Sequence, residues 1–451
     1  MGKRFWIFTS DHSGLPLAVR LQDEGYNVVL VMIRPEEREG KWQPPKDAKE
    51  AKTFADRVRY LDKNGKGLVE KMWSVNAMPK IGRNDYVIWD QIFGYQLSES
   101  LHKRGIKVFG GLEIGYVLET QRQKTLSLLG KMGFDLPYQK TFGKNSVEKA
   151  IQFLEKEDNE RLYVLKSNNP ACVTYVADYT NDELIQKFNA EKNLIDKDDF
   201  ILQERVDGIE YNIETLYVNG KPVMCNIDLE EKRKFNNESK CQIGCAWDQV
   251  WILPVDHPLR ERINKPFDQF CAKYINTGLL DVSVIHVPKE DKIYALEVCG
   301  SRFGYNQIYT LLELLTIPIG EYFASILDGK FTSDIGDKVF SNEFGTSLRV
   351  MNDECVSDSP ITFPKELKKH YWIWDYAKRG GQLLTVGTSQ GEALGIITAS
   401  ADTPEGSFAK IREYYRKLYM TSLYARDDYQ DDETITLPLA RYHELKKLDI
   451  I

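Results

Sequence analysis

Apolar residues along this chain fall into short β-branched and aromatic runs separated by polar breaks, and the spacing within each run assigns its element. Residues 5–9 (FWIFT) and 28–33 (VVLVMI) are strand-like, and residues 15–24 between them carry a helical pattern that stops at Gly25. That order is a β-α-β opening. Residues 86–89 (YVIW), ending in Asp90, and 106–109 (IKVF), ending at Gly110 and Gly111, repeat it around a helix over 95–103. Alternation of this kind predicts a parallel sheet with ligands at the C-terminal ends of its strands. Residues 34–83 are charged, are broken by Pro35, Pro44, Pro45 and Gly65, and predict one helix over 48–61 with no chemistry of their own.

From residue 118 the pattern changes. Residues 118–137 predict a single amphipathic helix ending near Gly133, and runs at 162–166, 200–204, 211–217 and 222–227 predict strands. Residues 281–304 read as two strands joined by the polar break 288–292. An apolar helix over 311–327 and a linker over 329–337 lead to strands at 346–351 and 383–387 and a helix over 404–419. The predicted class is α/β, α+β in part. A Rossmann-like parallel-sheet domain occupies 1–115, a central domain 116–333, and a small mixed α/β domain 334–451.

Composition narrows the function classes. The 451 residues carry a net charge of −7, with 60 basic against 67 acidic side chains and no long basic run, so charge does not indicate nucleic-acid binding. No apolar run reaches the length of a membrane span, and Asp11 and His12 interrupt any signal-peptide pattern, so a cytoplasmic protein without membrane contact is expected. Seven scattered cysteines suit a reduced compartment. Cys241 and Cys245 lack the second pair or neighbouring His that zinc requires, and the histidines show no metal or triad spacing. The opening β-α-β unit lacks G-x-G-x-x-G, which argues against a nicotinamide or flavin site, although its first turn can hold an anion at the helix N-terminus.

The richest stretch is 281–304. Pairing its two strands brings Asp281 and Glu297 to one rim, where two carboxylates repel unless a cation lies between them, and hard oxygen ligands suit Mg²⁺. Arg302 follows on an irregular turn, where its planar fork could hold a phosphoryl or carboxylate group. A surface hairpin with solvated acids is the other reading. Lys166 ends an apolar strand, where an unpaired ammonium would be costly. A strand ending in Glu204, a bend at Asp207 and Gly208, and Glu210 opening the next strand form the second motif.

These residues resemble the ATP-grasp ligases, and most closely the glycinamide ribonucleotide synthetase (phosphoribosylamine glycine ligase) family. The resemblance rests on Gly278, Asp281, Glu297 and Arg302-Phe303-Gly304, and it spans nearly the whole chain. It implies an ATP-grasp domain over 116–333 with ATP and Mg²⁺ (or Mn²⁺) as cofactors. Asp281 and Glu297 would hold the metal, and Lys166 with either Arg122 or Lys124 would hold the phosphates. The hinge at Glu204 and Val206 would meet the adenine edge, and Glu210 the ribose hydroxyls. Lys166 and Arg302 would carry catalysis. Ser10, Ser13 and Gly14 in the first turn, Lys232 and Arg233, and Arg302 with Gly304 would meet the substrates.

The chain departs from that family at several positions. Cys299 stands where the family has Asn, with one extra residue before Arg302. The lid segment Ser167-Asn168-Asn169-Pro170-Ala171-Cys172 has no glycine, and residues 241–247 replace a glycine-rich active-site loop that follows the family's counterpart of Lys232 and Arg233. The implied function is an ATP-dependent carboxylate-amine ligase acting through an acyl phosphate, of the kind used in purine biosynthesis, with a small amino acid as the acid, an amine carried on a phosphorylated sugar or nucleotide, and a monomer or homodimer as assembly. Alternatives are a related ligase joining an amino acid to another nucleotide or modified base, and an ATP-binding homologue without catalysis.

Overall fold

The computed structural model describes residues 3–11, 13–38, 48–157, 161–168, 174–234, 242–303, 307–352, 357–387, 393–426 and 437–451. Gly304, Cys241 and most of the glycine-free lid lie outside them.

Strands β1 (Arg4–Thr9), β2 (Asn27–Met32), β3 (Glu70–Trp73), β4 (Tyr86–Trp89) and β5 (Lys107–Phe109) form a sheet in the order β3-β2-β1-β4-β5, and every pairing in it is parallel. Phe5, Trp6, Ile7 and Phe8 are all buried. Both faces are therefore covered, which is why these strands read as continuous apolar runs. The edge strand β3 escaped the pattern because its Glu-Lys-Met-Trp sequence is only partly buried.

A small antiparallel sheet follows, with β6 (Gln139–Phe142), β7 (Tyr163–Ser167), β8 (Tyr175–Val176) and β9 (Phe200–Glu204) in the order β6-β9-β7-β8. Tyr163, Leu165, Phe200 and Leu202 pack against the helices Val147–Leu154 and Asp182–Ile195. Residues 205–208 connect this sheet to a larger one built from β10 (Ile209–Val218), β11 (Lys221–Arg233), β12 (Gln242–Leu253), β13 (Gly278–Val287), β14 (Lys292–Gly300) and β15 (Phe344–Asn352). Its order is β14-β13-β10-β11-β12-β15, continued by Ala393–Ala401 and Tyr371–Ile373. Strands after residue 334 thus extend the central sheet, with Trp247 opposite Leu348 and Val250 opposite Gly345.

Several expectations are corrected. The helix expected over 118–133 is two helices, Glu113–Thr120 and Arg122–Lys131, broken at Gln121 (φ −110°, ψ 62°). Hydroxyls compete with the helical ladder there, Thr120 donating to the Tyr116 carbonyl at 2.7 Å and Thr125 to that of Leu118 at 2.8 Å. Pro318 divides the apolar helix expected over 311–327 into Gln307–Glu313 and Ile319–Leu327. The helix Ser333–Val339 begins inside the linker expected at 329–337 and runs past its end. The strand expected over 222–227 runs on through Arg233 as β11, and residues 242–247, set against a loop of the family, lie in β12.

The helix Glu113–Thr120 lies close on β14, because a Cβ at Gly115 would sit 2.3 Å from the Gly300 carbonyl oxygen. Gly115→Ala is expected to destabilise the protein by about 1–3 kcal/mol through that backbone clash, read as a lower urea midpoint at unchanged slope. No described helix is long and apolar enough to cross a membrane.

Candidate active site

Period-2 alternation splits the large sheet into two faces. Tyr211 and Ile213 of β10, Ile227 and Leu229 of β11 and Val282 and Val284 of β13 join one apolar core. On the opposite face stand Glu210, Asn212 and Glu214, then Asp228, Glu230 and Lys232, then Asp281 and Ser283. β14 adds Glu297 and Cys299, with Asp281 paired to Cys299 and Ser283 to Glu297. The neighbouring small sheet contributes Lys166, and the break at Gln121 places Arg122 in the first turn of its helix, beside both sheets.

Two adjoining cavities result. One is lined by Glu119, Arg122, Lys166, Glu297 and Cys299, with apolar walls from Leu118, Leu126 and Ile201. The other shares Glu297 and Cys299 and adds Glu214, Glu230, Lys232, Asp281, Arg302 and Gln307. Arg122 Nη1 lies 3.5 Å from Glu297 Oε2, and its Nε donates to the Ser167 carbonyl at 3.3 Å. Lys232 pairs with Glu230 at 3.3 Å and with Glu210 at 3.6 Å. Arg302 donates from Nε to Glu119 at 3.2 Å and from Nη2 to Cys299 Sγ at 3.2 Å, and the thiol donates to Glu119 at 3.0 Å.

The charges polarise one another. Burial would raise the Glu297 carboxyl, but Lys232, Lys166, Arg122 and Arg302 together hold it down at about 2. Lys166 is 8 % exposed, and burial lowers its ammonium to about 8 although Glu297 pulls the other way. Burial, then Glu230, push Asp281 up to about 8. Lys232 and Arg441 outweigh burial to keep Glu210 below the usual glutamate range.

The described residues hold no cluster of three or more His, Cys, Asp and Glu side chains suited to a metal by themselves. Asp281 and Glu297 nonetheless fit a shared ion. Asp281 Oδ1 is buried with no hydrogen-bond partner, and its carboxyl is strained by neighbouring negative charge. Mg²⁺ is commonly held by one or two carboxylates together with substrate phosphates, which two such side chains satisfy. The Cys299 thiol is too soft to replace the amide oxygen that an Asn would offer.

No protein-family model matches the sequence, and a search of curated proteins finds no match. Solved structures do match. Phosphoribosylamine–glycine ligase from Thermotoga maritima is 17% identical, with 94% of this chain and 99% of that one covered and a TM-score of 0.64. The biotin carboxylase domain of Hydrogenobacter thermophilus 2-oxoglutarate carboxylase, in complex with MgADP, ADP and bicarbonate, is 10% identical over 99% and 98% of the two chains, with a TM-score of 0.62. The L-amino acid ligase from Bacillus licheniformis is 16% identical over 93% and 98%, with a TM-score of 0.52. This chain has the ATP-grasp fold.

Within the ATP-grasp fold, Lys166, Glu297, Asp281, Lys232 and Arg302 converge on the two cavities, as does Arg122. Lys124, the other candidate, is exposed on the same helix. Glu210 adjoins them through Lys232. Glu204 ends β9 beside Tyr163 of β7 and pairs with Arg161 at 3.5 Å, with Val206 in the connection beyond it. Neither lines a cavity. Arg233 points elsewhere, 3.7 Å from Asp178.

Ser10, Ser13 and Gly14 also lie outside both cavities. Ser13 donates its hydroxyl to Asp11 at 2.6 Å and its N–H to the same oxygen at 3.3 Å. An acidic side chain thus occupies donors that an anion would have used. Gly14 packs against Ile7 and the buried Asp90.

Sequence reading missed Glu119, Glu214, Glu230, Gln307 and Arg441. Glu214 and Glu230 were detectable as continuations of the polar alternation begun by Glu210 and ended by Lys232. Arg441 belongs to the helix Leu437–Lys447, donates to the Glu230 carbonyl at 2.7 Å and lies 3.7 Å from Glu210. Its separation in sequence from every other site residue left no local signal.

Proposed function

We propose that this protein is an ATP-dependent ligase that joins a carboxylate to an amine through an acyl phosphate. The observation carrying this reading is the convergence, between two sheets, of a buried lysine, an arginine and a strongly acidic carboxyl with a second carboxyl beside it. Lys166 and Arg122 hold the triphosphate as fixed cations, and Glu210 accepts from the ribose hydroxyls. Asp281 and Glu297 would hold Mg²⁺, which when bound neutralises charge on the phosphates. The substrate carboxylate attacks the terminal phosphorus and the bond to ADP breaks; Arg302 steadies the charge on the transferred group. The amine nitrogen then displaces phosphate from the acyl carbon to give the amide. No protein nucleophile is needed, because positioning and charge neutralisation supply the acceleration.

A small amino acid as the acid, and a function like that of phosphoribosylamine glycine ligase in a cytoplasmic purine pathway, follow only by analogy with the structural neighbours. Cys299 favours a second reading, an ATP-grasp protein that binds ATP without turnover. ADP release screened across amino acids, with calorimetry of ATP with and without Mg²⁺, decides between them. Carboxylate-dependent ADP formation is expected, and binding without turnover would establish the second reading.

Arg441 acts through Glu210. Arg441→Ala is expected to weaken ATP binding about fivefold, measured by calorimetry, with Arg441→Lys recovering part of the loss.

A further inference from the structure

The second cavity has a charge ledger that the ligase reading leaves open. Four carboxylates line it, those of Glu214, Glu230, Asp281 and Glu297, against the cations Lys232 and Arg302. Three of the acids are accounted for. Glu230 pairs with Lys232, Glu297 lies 3.5 Å from Arg122, and Asp281 belongs to the metal pair. Arg302 is engaged by Glu119 at 3.2 Å. Glu214 is left over.

Glu214 stands on β10 opposite Asp281, 2 % exposed. Its Oε2 has no hydrogen-bond partner, and no cation lies within ion-pair distance among the described residues. Across the cavity, on the helix Gln307–Glu313, Gln307 is equally buried, and its Nε2 donor is without a partner. An acceptor and a donor, both withdrawn from water and lining one space, each forfeit a hydrogen bond unless a ligand supplies it.

We propose that the amine substrate enters this cavity as a small, unphosphorylated primary ammonium compound, its cation held by Glu214 and an adjacent acceptor atom held by Gln307 Nε2. This rests on the general ligase reading and departs from the phosphoribosylamine glycine ligase analogy, whose amine is phosphorylated. Size and sign both favour such a ligand. The cavity holds about 110 Å³, well below the roughly 300 Å³ at the small end of ligand pockets. A phosphorylated sugar would overfill it and bring a dianion against the Glu214 carboxylate. An ammonium ion meets an acceptor that has no cation in ion-pair contact among the described residues, Arg302 of the same lining being engaged by Glu119.

The test uses full-length protein with Mg²⁺ and a non-hydrolysable ATP analogue, and reads ligand binding by saturation-transfer NMR titration. Ethanolamine, an ammonium with a neighbouring hydroxyl acceptor, is the probe, and ribose 5-phosphate is the phosphorylated comparison. Ethanolamine is expected to bind, to weaken about tenfold in Glu214→Gln, and to weaken less in Gln307→Leu. Ribose 5-phosphate is expected not to compete. Thermal unfolding of both variants confirms that the fold is kept, and two independent variants guard against loss of either one.

Ethanolamine binding that is absent in the wild type, or equal in wild type and Glu214→Gln, overturns the proposal. So does tighter binding of ribose 5-phosphate, or an Mn²⁺ titration showing a second bound metal that Glu214→Gln removes. Where the ATP analogue binds and ethanolamine does not, only the amine assignment fails. Where the analogue itself does not bind, the ligase reading falls with it.

Discussion

Glu297→Gln is expected to lower carboxylate-dependent ADP release by about 10³-fold or more while the chain still folds. The substitution keeps the size of the side chain and removes its charge. In the wild type, Lys232, Lys166, Arg122 and Arg302 all act on this one carboxyl, which is why it stays ionised at about 2 despite burial. Without it, four cations face one another with no common anion, and Asp281 alone remains to share a metal with the phosphates. The Mg²⁺ concentration needed for half-maximal turnover should rise together with the loss in rate. Turnover at the wild-type rate would refute the role. The sign of the pH dependence also follows. Because the folded-state value is depressed, Glu297 stabilises the protein above the ordinary glutamate range, and that contribution is lost as the pH falls through about 2. Glu297→Gln should therefore melt earlier than wild type at neutral pH and converge with it in strong acid.

Lys166→Ala is expected to weaken ATP binding by about 10²-fold, the second of the two largest effects. The ammonium sits at the C-terminal end of β7, mostly buried, with Ile201 of β9 alongside and Glu297 across the cavity. Burial lowers it to about 8. Below that pH it is charged and ready for phosphate, and above it the nucleotide-free protein loses the charge. The advantage in ATP affinity of the wild type over Lys166→Ala should therefore shrink as the pH rises through 8, as calorimetry of both proteins at several pH values would show; Asp281, which also titrates at about 8, affects both proteins alike. Stability runs the opposite way. The folded chain binds fewer protons than the unfolded chain between about 8 and the ordinary lysine value, so wild-type stability increases with pH across that window. A ratio of wild-type to Lys166→Ala affinity that stayed unchanged through pH 8 would remove Lys166 from the phosphate site.

How much could be read from the sequence depended on whether one physical cause fixed both pattern and position. Buried parallel strands such as β1 and β2 announce themselves because both faces exclude water. Asp281, Glu297 and Lys166 stood out for a related reason, since charged residues within apolar strands or near their ends are conspicuous. Residues 230–233 were not. On β11 the alternation continues, but the face turned toward the cavities is charged, so the apolar signal that marks a strand vanishes where the site begins. The break at Gln121 was hidden by good helical spacing on both sides, and side-chain hydroxyls decided it. Arg122 could be separated from Lys124 only by that break, which turns one toward Glu297 and leaves the other exposed.

The pairing of β12 with β15 bears on how the chain can be dissected. A fragment ending near residue 340 would keep Lys166, Asp281, Glu297 and Arg302, yet it would bare the backbone amides and carbonyls of β12 along Trp247–Val250. Such an unprotected margin invites self-association. The same cut discards Arg441 and with it a counter-charge for Glu210. Truncations and chimaeras that treat the last hundred residues as an appendage should precipitate or bind nucleotide poorly, whereas exchanges that carry β12 and everything beyond it as one block should remain monodisperse.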